Sequence, residues 1–358
     1  MTVGANGLVQ VDGLLSVVSA MFVACGVEPR DASIVAEDLV AADAEGVPSH
    51  GVMLVPMYVD RLKAGSVSRG SEGQIVSDNM TAVVINAGDI LGQLTARQAV
   101  ELAISRARIY GMGAVAVRNA FHFGAAGRYA RMIADGGAVG IVMSNTRPLM
   151  PAPGGAQALT GNNPLAIAVP SNGDFHPEVD MALSAVAMGK IRNAAAAGQV
   201  IPEGWAVDKD GAATTDPQAA ISGMLLPAAG PKGYGLAFLV DLMTGGLSGG
   251  AIGAEVSALY GDPATPYRCS NLFIAIDVGH FGSDGQFERR AQSEVERVRK
   301  SRKASGVDRV FAPGEMAYAA RAAAGGHVKI SPAAWTALAE TAGDLGVDVQ
   351  SCFKRGKR

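Results

Sequence analysis

Two of the five histidines in the 358-residue sequence stand where an imidazole can work rather than pack. His50 lies in Ser49-His50-Gly51, with a hydroxyl before it, a glycine after it, and no apolar periodicity around it that would bury it. An imidazole has an unperturbed pKa of about 6.5, so such a ring can give or take a proton near neutrality. The plainer alternative is a loop histidine satisfied by a backbone carbonyl. His122 lies in Asn119-Ala120-Phe121-His122-Phe123-Gly124, directly after a predicted strand and before small residues that open a helix. Strand ends of this kind face ligand crevices in α/β sheets, and amides at a helix start can hold phosphate. Its alternative is a ring packed between two phenylalanines. Asp180, in Asp180-Met181-Ala182, can cap a turn, or it can accept a hydrogen bond from an imidazole and stabilise the charged ring.

His176 and His280 fall in loops rich in Gly, Pro and Asp. No two histidines are spaced i, i+4 and no carboxylates cluster, so no metal site is expected. Gly111-Met112-Gly113-Ala114-Val115-Ala116 matches the glycine pattern of a dinucleotide loop. That loop needs a strand before it and a helix after it, whereas here a helix precedes and a strand follows. Gly189-Lys190 lacks the upstream glycine and the following Ser or Thr of a phosphate loop. Neither a Rossmann nor a phosphate-loop signature is present.

The elements that must position these groups are legible in outline. Leu14, Val17, Val18, Met21, Phe22 and Cys25 share one helical face, with Asp12 expected as the N-cap. Pro29 suits the first turn of a second helix that turns Ala32, Val35, Ala36, Leu39 and Val40 inward. A third helix is expected from about Met53 to Lys63, stopped by Gly65, so Ser49-His50-Gly51 marks a joint between helices. Strands at Thr81–Ile85, Gly113–Val117, Val139–Ser144 and Phe273–Ile276 alternate with helices at Leu94–Tyr110 and up to Asp135, which predicts a mixed α/β domain. Leu236–Leu247 reads as a buried helix and Phe287–Lys303 as a charged surface helix.

With 49% hydrophobic and 18% charged residues, the composition excludes a disordered chain. A net charge of −3 gives no reason to expect nucleic acid or an acidic membrane surface as partner. Three scattered cysteines suit a reduced, cytoplasmic protein rather than a disulfide framework. No apolar run reaches the ~18 residues that a membrane span needs.

Ser49-His50-Gly51-Val52, with Pro56, Tyr58 and Arg61-Leu62, resembles the N-terminal signature of the type 2 malate/L-lactate dehydrogenase family. The resemblance continues in order through His122-Phe123-Gly124, Pro151–Gly155, Gly161–Ala166, Asp180-Met181-Ala182, Gly189-Lys190, Gly204–Asp208, Thr214–Pro217, Pro231–Leu236 and Pro313-Gly314-Glu315. It implies an oxidoreductase that uses NAD or NADP, with a non-Rossmann cofactor domain built on a mixed, largely antiparallel sheet. It also implies a mostly helical substrate-side module.

Residues 1–75 would form the helical N-terminal module, 76–284 the cofactor domain, and 285–358 a helical segment packing back on the N-terminus. By resemblance His50 is the proton donor and acceptor, supported by Ser49 and Asp180, while some relatives use the equivalent of His122 as base. The matching cofactor contacts are His122, Phe123, Gly124, Thr146, Asn163, Asp180, Met181, Ala182, Lys232, His280, Phe281, Gly314 and Glu315.

The implied substrate is a small 2-hydroxy, 2-oxo or cyclic 2-imino acid, and the implied assembly is a homodimer. Ureidoglycolate oxidation, and an NAD(P)-binding relative without turnover, are the alternative readings. Leu54 stands where many relatives carry an arginine that can grip the substrate carboxylate, and Arg147 is the candidate replacement. Asn162 stands in place of the usual threonine.

Overall fold

The computed structural model describes residues 7–282 and 285–355. Residues 283 and 284, at the expected domain boundary, lie outside the described residues. The first helix, α1 (Val11–Ala24), buries Leu14, Val17, Val18, Met21 and Phe22 as its periodicity predicts. Asp12 is not its N-cap: Gln10 takes that place, without a capping side chain, and Asp12 falls in the first turn. Helix α2 (Pro29–Ala44) has Pro29 in its first turn and packs on α1 through Val35, Ala36, Leu39 and Val40. Helix α3 (Val55–Ala64) ends at Gly65, whose φ of 81° is the left-handed turn a glycine takes without strain. Helix α4 (Gly92–Tyr110) and helix α5 (Ala126–Asp135) pack on the central sheet.

That sheet has seven strands, ordered in space Gln74–Asn79, Ala82–Asn86, Met112–Ala120, Cys269–Asp277, Ala138–Ser144, Leu165–Ala168 and Glu178–Met181. Ala82–Asn86 runs parallel to Met112–Ala120, and every other pairing is antiparallel. The sheet is therefore mixed and largely antiparallel. Gly111, at φ 84°, closes α4 immediately before strand Met112–Ala120, which is the reverse of a dinucleotide loop. The strand Cys269–Asp277 arrives from far along the chain and inserts between two earlier strands, burying Leu272, Phe273 and Ala275.

The C-terminal part returns to the N-terminus. Strand His327–Lys329 pairs with Leu8–Gln10, and helix Pro332–Asp344 packs against α3. Helix Gln286–Arg299 does not join it there, since its Val295 packs with Phe175 and Ala312. The expected buried helix at Leu236–Leu247 is corrected. An α-helix runs over Pro231–Asp241 and widens to π-helix over Leu242–Gly246, leaving Phe238, Leu239 and Leu247 47%, 53% and 62% exposed. Apolar content predicts burial in the core, but Leu236, Phe238, Leu239, Leu242 and Leu247 all face outward.

Buried charges fix the helical module to the sheet domain. Asp38 on α2 accepts hydrogen bonds from Arg97 of α4 and from Arg128 and Tyr129 of α5. Two bases on one buried carboxylate lock the approach of three helices, because a carboxylate can accept in several directions at once.

Candidate active site

The turn that carries His50 is built around Asp43. The chain leaves α2, makes two single 3₁₀ turns at Pro48–His50 and Val52–Leu54, and enters α3. Asp43 Oδ2 accepts the Val52 N–H at 2.7 Å and so ties the far side of the turn back to α2. A Cβ at Gly51 would lie 2.3 Å from the Asp43 carboxylate, so any other residue there must displace the side chain that ties the turn. Burial pushes the Asp43 pKa up to about 7, against the pull of the Val52 amide. Ser49 Oγ lies 3.0 Å from His50 Nδ1, which orients the ring from its neighbouring residue.

His122 follows the end of strand Met112–Ala120, where the sheet meets the start of α5. Its ring stacks on His50 with centroids 5.6 Å apart and an interplanar angle of 17°. The two imidazoles, 72 positions apart in sequence, thus form one site. Burial, with a smaller contribution from the neighbouring His50, pushes the His122 pKa down to about 3. Burial also lowers the His50 pKa, but there the Asp180 carboxylate acts in the opposite direction. Asp180, on the edge strand Glu178–Met181, is itself pushed up by burial, while the Gly127 N–H at 2.8 Å and His50 favour its charged form. Two stacked rings cannot both be cations at this separation. Of the two rings, His50 is the one whose charged form is favoured by a carboxylate, that of Asp180.

His50, His122 and Asp180 line a cavity of about 690 Å³, inside the ~300–1,000 Å³ range of pockets that enclose small ligands and cofactors. Ser49 and the expected contacts Phe123, Gly124, Thr146, Met181, Ala182 and Gly314 also line it, together with Asn162. Asn163 is fully buried behind the wall: its Oδ1 accepts the Thr146 N–H at 2.9 Å and its Nδ2 donates to the Ala237 carbonyl at 2.8 Å.

Four expected contacts are not brought to this cavity. Lys232 is exposed in the first turn of helix Pro231–Asp241. His280 and Phe281 follow the far end of strand Cys269–Asp277, whose first residue lines the cavity. Nine extended residues place them roughly 25–30 Å away. Glu315 is buried and held by Arg299, Arg309 and the Ala312 N–H.

Leu54 is buried in the helical core, only 1% exposed, so this position does not face the cavity. Arg147 is exposed outside the lining, near enough to Tyr267 to oppose the rise in that phenol's pKa, and Tyr267 does line it. Sequence reasoning missed Arg131, Glu45 and Glu178, which form one wall. Arg131 donates to both oxygens of Glu45 at 2.6 Å and to both of Glu178 at 2.7 and 2.9 Å. No spacing could reveal that bridge, because its three members come from α5, the end of α2 and an edge strand.

The chain matches the family model for malate/L-lactate dehydrogenase over residues 9–339. It is 37% identical over 328 residues to L-sulfolactate dehydrogenase of Methanocaldococcus jannaschii, covering 91% of this chain and 93% of that protein. The solved structure of sulfolactate dehydrogenase from that organism superposes with a TM-score of 0.90 at 34% identity, over 96% of this chain and 99% of the other. The ureidoglycolate dehydrogenase (NAD(+)) of Escherichia coli K12 is 36% identical over 81% of this chain and 82% of its own. The (2R)-3-sulfolactate dehydrogenase (NADP(+)) of Chromohalobacter salexigens is 36% identical over 77% and 84%. A match across nearly the whole length, in sequence and in fold, establishes that this chain belongs to the malate/L-lactate dehydrogenase family.

Proposed function

We propose that the protein is an NAD(P)-dependent oxidoreductase acting on a small 2-hydroxy or 2-oxo acid, or on a cyclic 2-imino acid, with His50 as proton donor and acceptor. The observation that carries this reading is the stacked His50–His122 pair beside Asp180 in one cavity. The cavity's chemistry fits a nicotinamide cofactor. At Gly124 a Cβ would meet nothing within 4 Å, which leaves room for a flat ring against the backbone, and Thr146 and Asn162 offer side-chain hydrogen bonds. His122, Phe123, Gly124, Thr146, Asp180, Met181, Ala182 and Gly314 would hold it. When bound, the cofactor supplies or receives the hydride. Names among the relatives carry both NAD(+) and NADP(+), which supports either cofactor here.

In the oxidative direction neutral His50 takes the hydroxyl proton as hydride leaves the adjacent carbon, and a 2-oxo acid results. In reduction the charged ring returns that proton to the oxygen or nitrogen that gains charge. Asp180 stabilises the imidazolium between the two, and Ser49 orients it. Positioned proton transfer of this kind is worth roughly 10²- to 10⁴-fold in rate. Arg147, at the rim by Tyr267, is proposed as the group that grips the substrate carboxylate. A homodimer in the cytoplasm is also proposed. Leu236, Phe238, Leu239, Leu242 and Leu247 expose a continuous apolar helix that a second copy would cover, and the cysteines form no disulfide.

The test is a panel of 2-oxo acids, cyclic imines and ureidoglycolate with each cofactor. Turnover of one class identifies the substrate. Quenching of NADH fluorescence without oxidation by any of them overturns the enzymatic reading.

A further inference from the structure

Tyr58 projects from α3 with its ring fully buried, and three polar groups converge on its hydroxyl. Gln93 Nε2 lies 3.2 Å away, His122 Nδ1 2.8 Å, and the His122 carbonyl oxygen 3.0 Å. A phenol has one proton to donate and two lone pairs with which to accept. The Gln93 amide donates to one lone pair. The phenol proton then goes either to the carbonyl or to Nδ1, and the two choices are unequal. Given to Nδ1, it leaves the His122 carbonyl without a donor among the described residues, at a cost of about 1–3 kcal/mol when buried. Given to the carbonyl, it leaves a lone pair that receives Nδ1–H, and all three groups are satisfied. Turning the Gln93 amide over draws the phenol proton to Oε1, and Nδ1 must still be the donor.

We infer that Tyr58 and Gln93 are positioning residues that hold His122 as the Nδ1–H tautomer, so that its Nε2 offers a bare lone pair to an O–H or N–H of the ligand. The inference rests on the cavity being the hydride-transfer site. Nε2 makes no hydrogen bond to the protein among the described residues, while His122 itself lines the cavity. His50, stacked on the same ring, opposes a second positive charge there. The two rings therefore divide the work. His122 Nε2 accepts a hydrogen bond from an O–H or N–H of the ligand other than the proton that is transferred, and His50 carries the mobile proton.

The experiment is long-range proton–nitrogen NMR on protein labelled with ¹⁵N-histidine, the His122 signals being identified by their loss in His122→Asn. The wild-type ring is expected to show Nδ1 protonated and Nε2 bare across the neutral range. Tyr58→Phe should shift it toward Nε2–H and lower kcat roughly tenfold or more, with KM within about threefold. Gln93→Leu removes an amide whose Oε1 has no partner, so it should fold well and lose less than Tyr58→Phe. A wild-type Nε2–H ring, or a Tyr58→Phe ring with unchanged tautomer, overturns the inference. The spectrum of the wild type decides even if Tyr58→Phe does not fold. Because the readout needs no turnover, a wrong tautomer leaves the proposed function standing. Inactivity toward every substrate with the tautomer as expected would instead sink the proposed function.

Discussion

His50 lies face to face with His122, the ring centroids 5.6 Å apart and the planes 17° from parallel. Asp180 favours a charge on the first ring, whereas burial and the first ring both disfavour one on the second. Replacing His50 by Ala is expected to lower kcat by roughly 10²- to 10⁴-fold in both directions. Parallel assays of His50→Ala and His122→Ala measure the division. Wild-type turnover in His50→Ala would end its assignment as the proton carrier.

The pH profile carries a sign. Burial lowers the His50 pKa, so its titration falls below the ~6.5 of a free imidazole. With His50 as the proposed base, oxidation needs the neutral ring, so kcat/KM should rise with pH through that point, and the reductive rate should fall over the same window. Asp180 raises the His50 pKa, so Asp180→Asn should move the midpoint further down. A midpoint that moves up shows that the pairing is wrong.

Asp43 links the His50 turn to stability. Its pKa rises from 3.8 to about 7 on folding because burial disfavours the charge. A carboxyl raised in the folded state contributes stability that is complete below the unfolded value and lost as pH rises through the folded one. Wild type should therefore lose up to about 1.4 kcal/mol per pH unit between those values relative to Asp43→Asn. Urea unfolding of both proteins over a pH series measures the difference. Equal slopes would mean that Asp43 titrates normally.

Arg61 holds the loop that brings Tyr267 to the cavity. Only 1% exposed, it donates to the carbonyls of Ala258, Leu259 and Thr265 at 3.0, 2.8 and 2.7 Å. Arg61→Ala should destabilise by about 3 kcal/mol or more, since several buried carbonyls lose their donor. Thermal unfolding tests this, and a melting temperature within a degree or so of wild type would refute it.

Arg147→Ala should raise the KM of the carboxylate substrate while leaving cofactor affinity alone. Steady-state kinetics with each component varied separates the two. An unchanged substrate KM removes Arg147 from the site and leaves Arg131, the guanidinium in the cavity wall, as the next cation to examine.

Much of the frame was legible in the chain. The apolar spacing of Leu14, Val17, Val18, Met21 and Phe22 predicted α1, and Gly65 marked the end of α3. The helix-before-strand order around Gly111 excluded a dinucleotide loop, and the fold bears this out. These are local facts, because backbone conformation and the burial of one helical face depend on neighbours a few residues away. The outward apolar side chains of helix Pro231–Asp241 escape prediction for the same reason: local composition shows that a segment is apolar, but not what covers it.

By itself the sequence determined the residue types able to move a proton, the turns they sit on, and the mixed α/β class. Tertiary structure decided their partnership. His50 meets His122 because α2 is bolted through Asp38 to α4 and α5, which bring the helical module against the strand end at Ala120. It also decided that Leu54 turns into the core and that Lys232, His280 and Phe281 lie away from this cavity. Proximity across 72 residues, and the desolvation that separates the two imidazoles' affinities for a proton, exist only once the chain has folded.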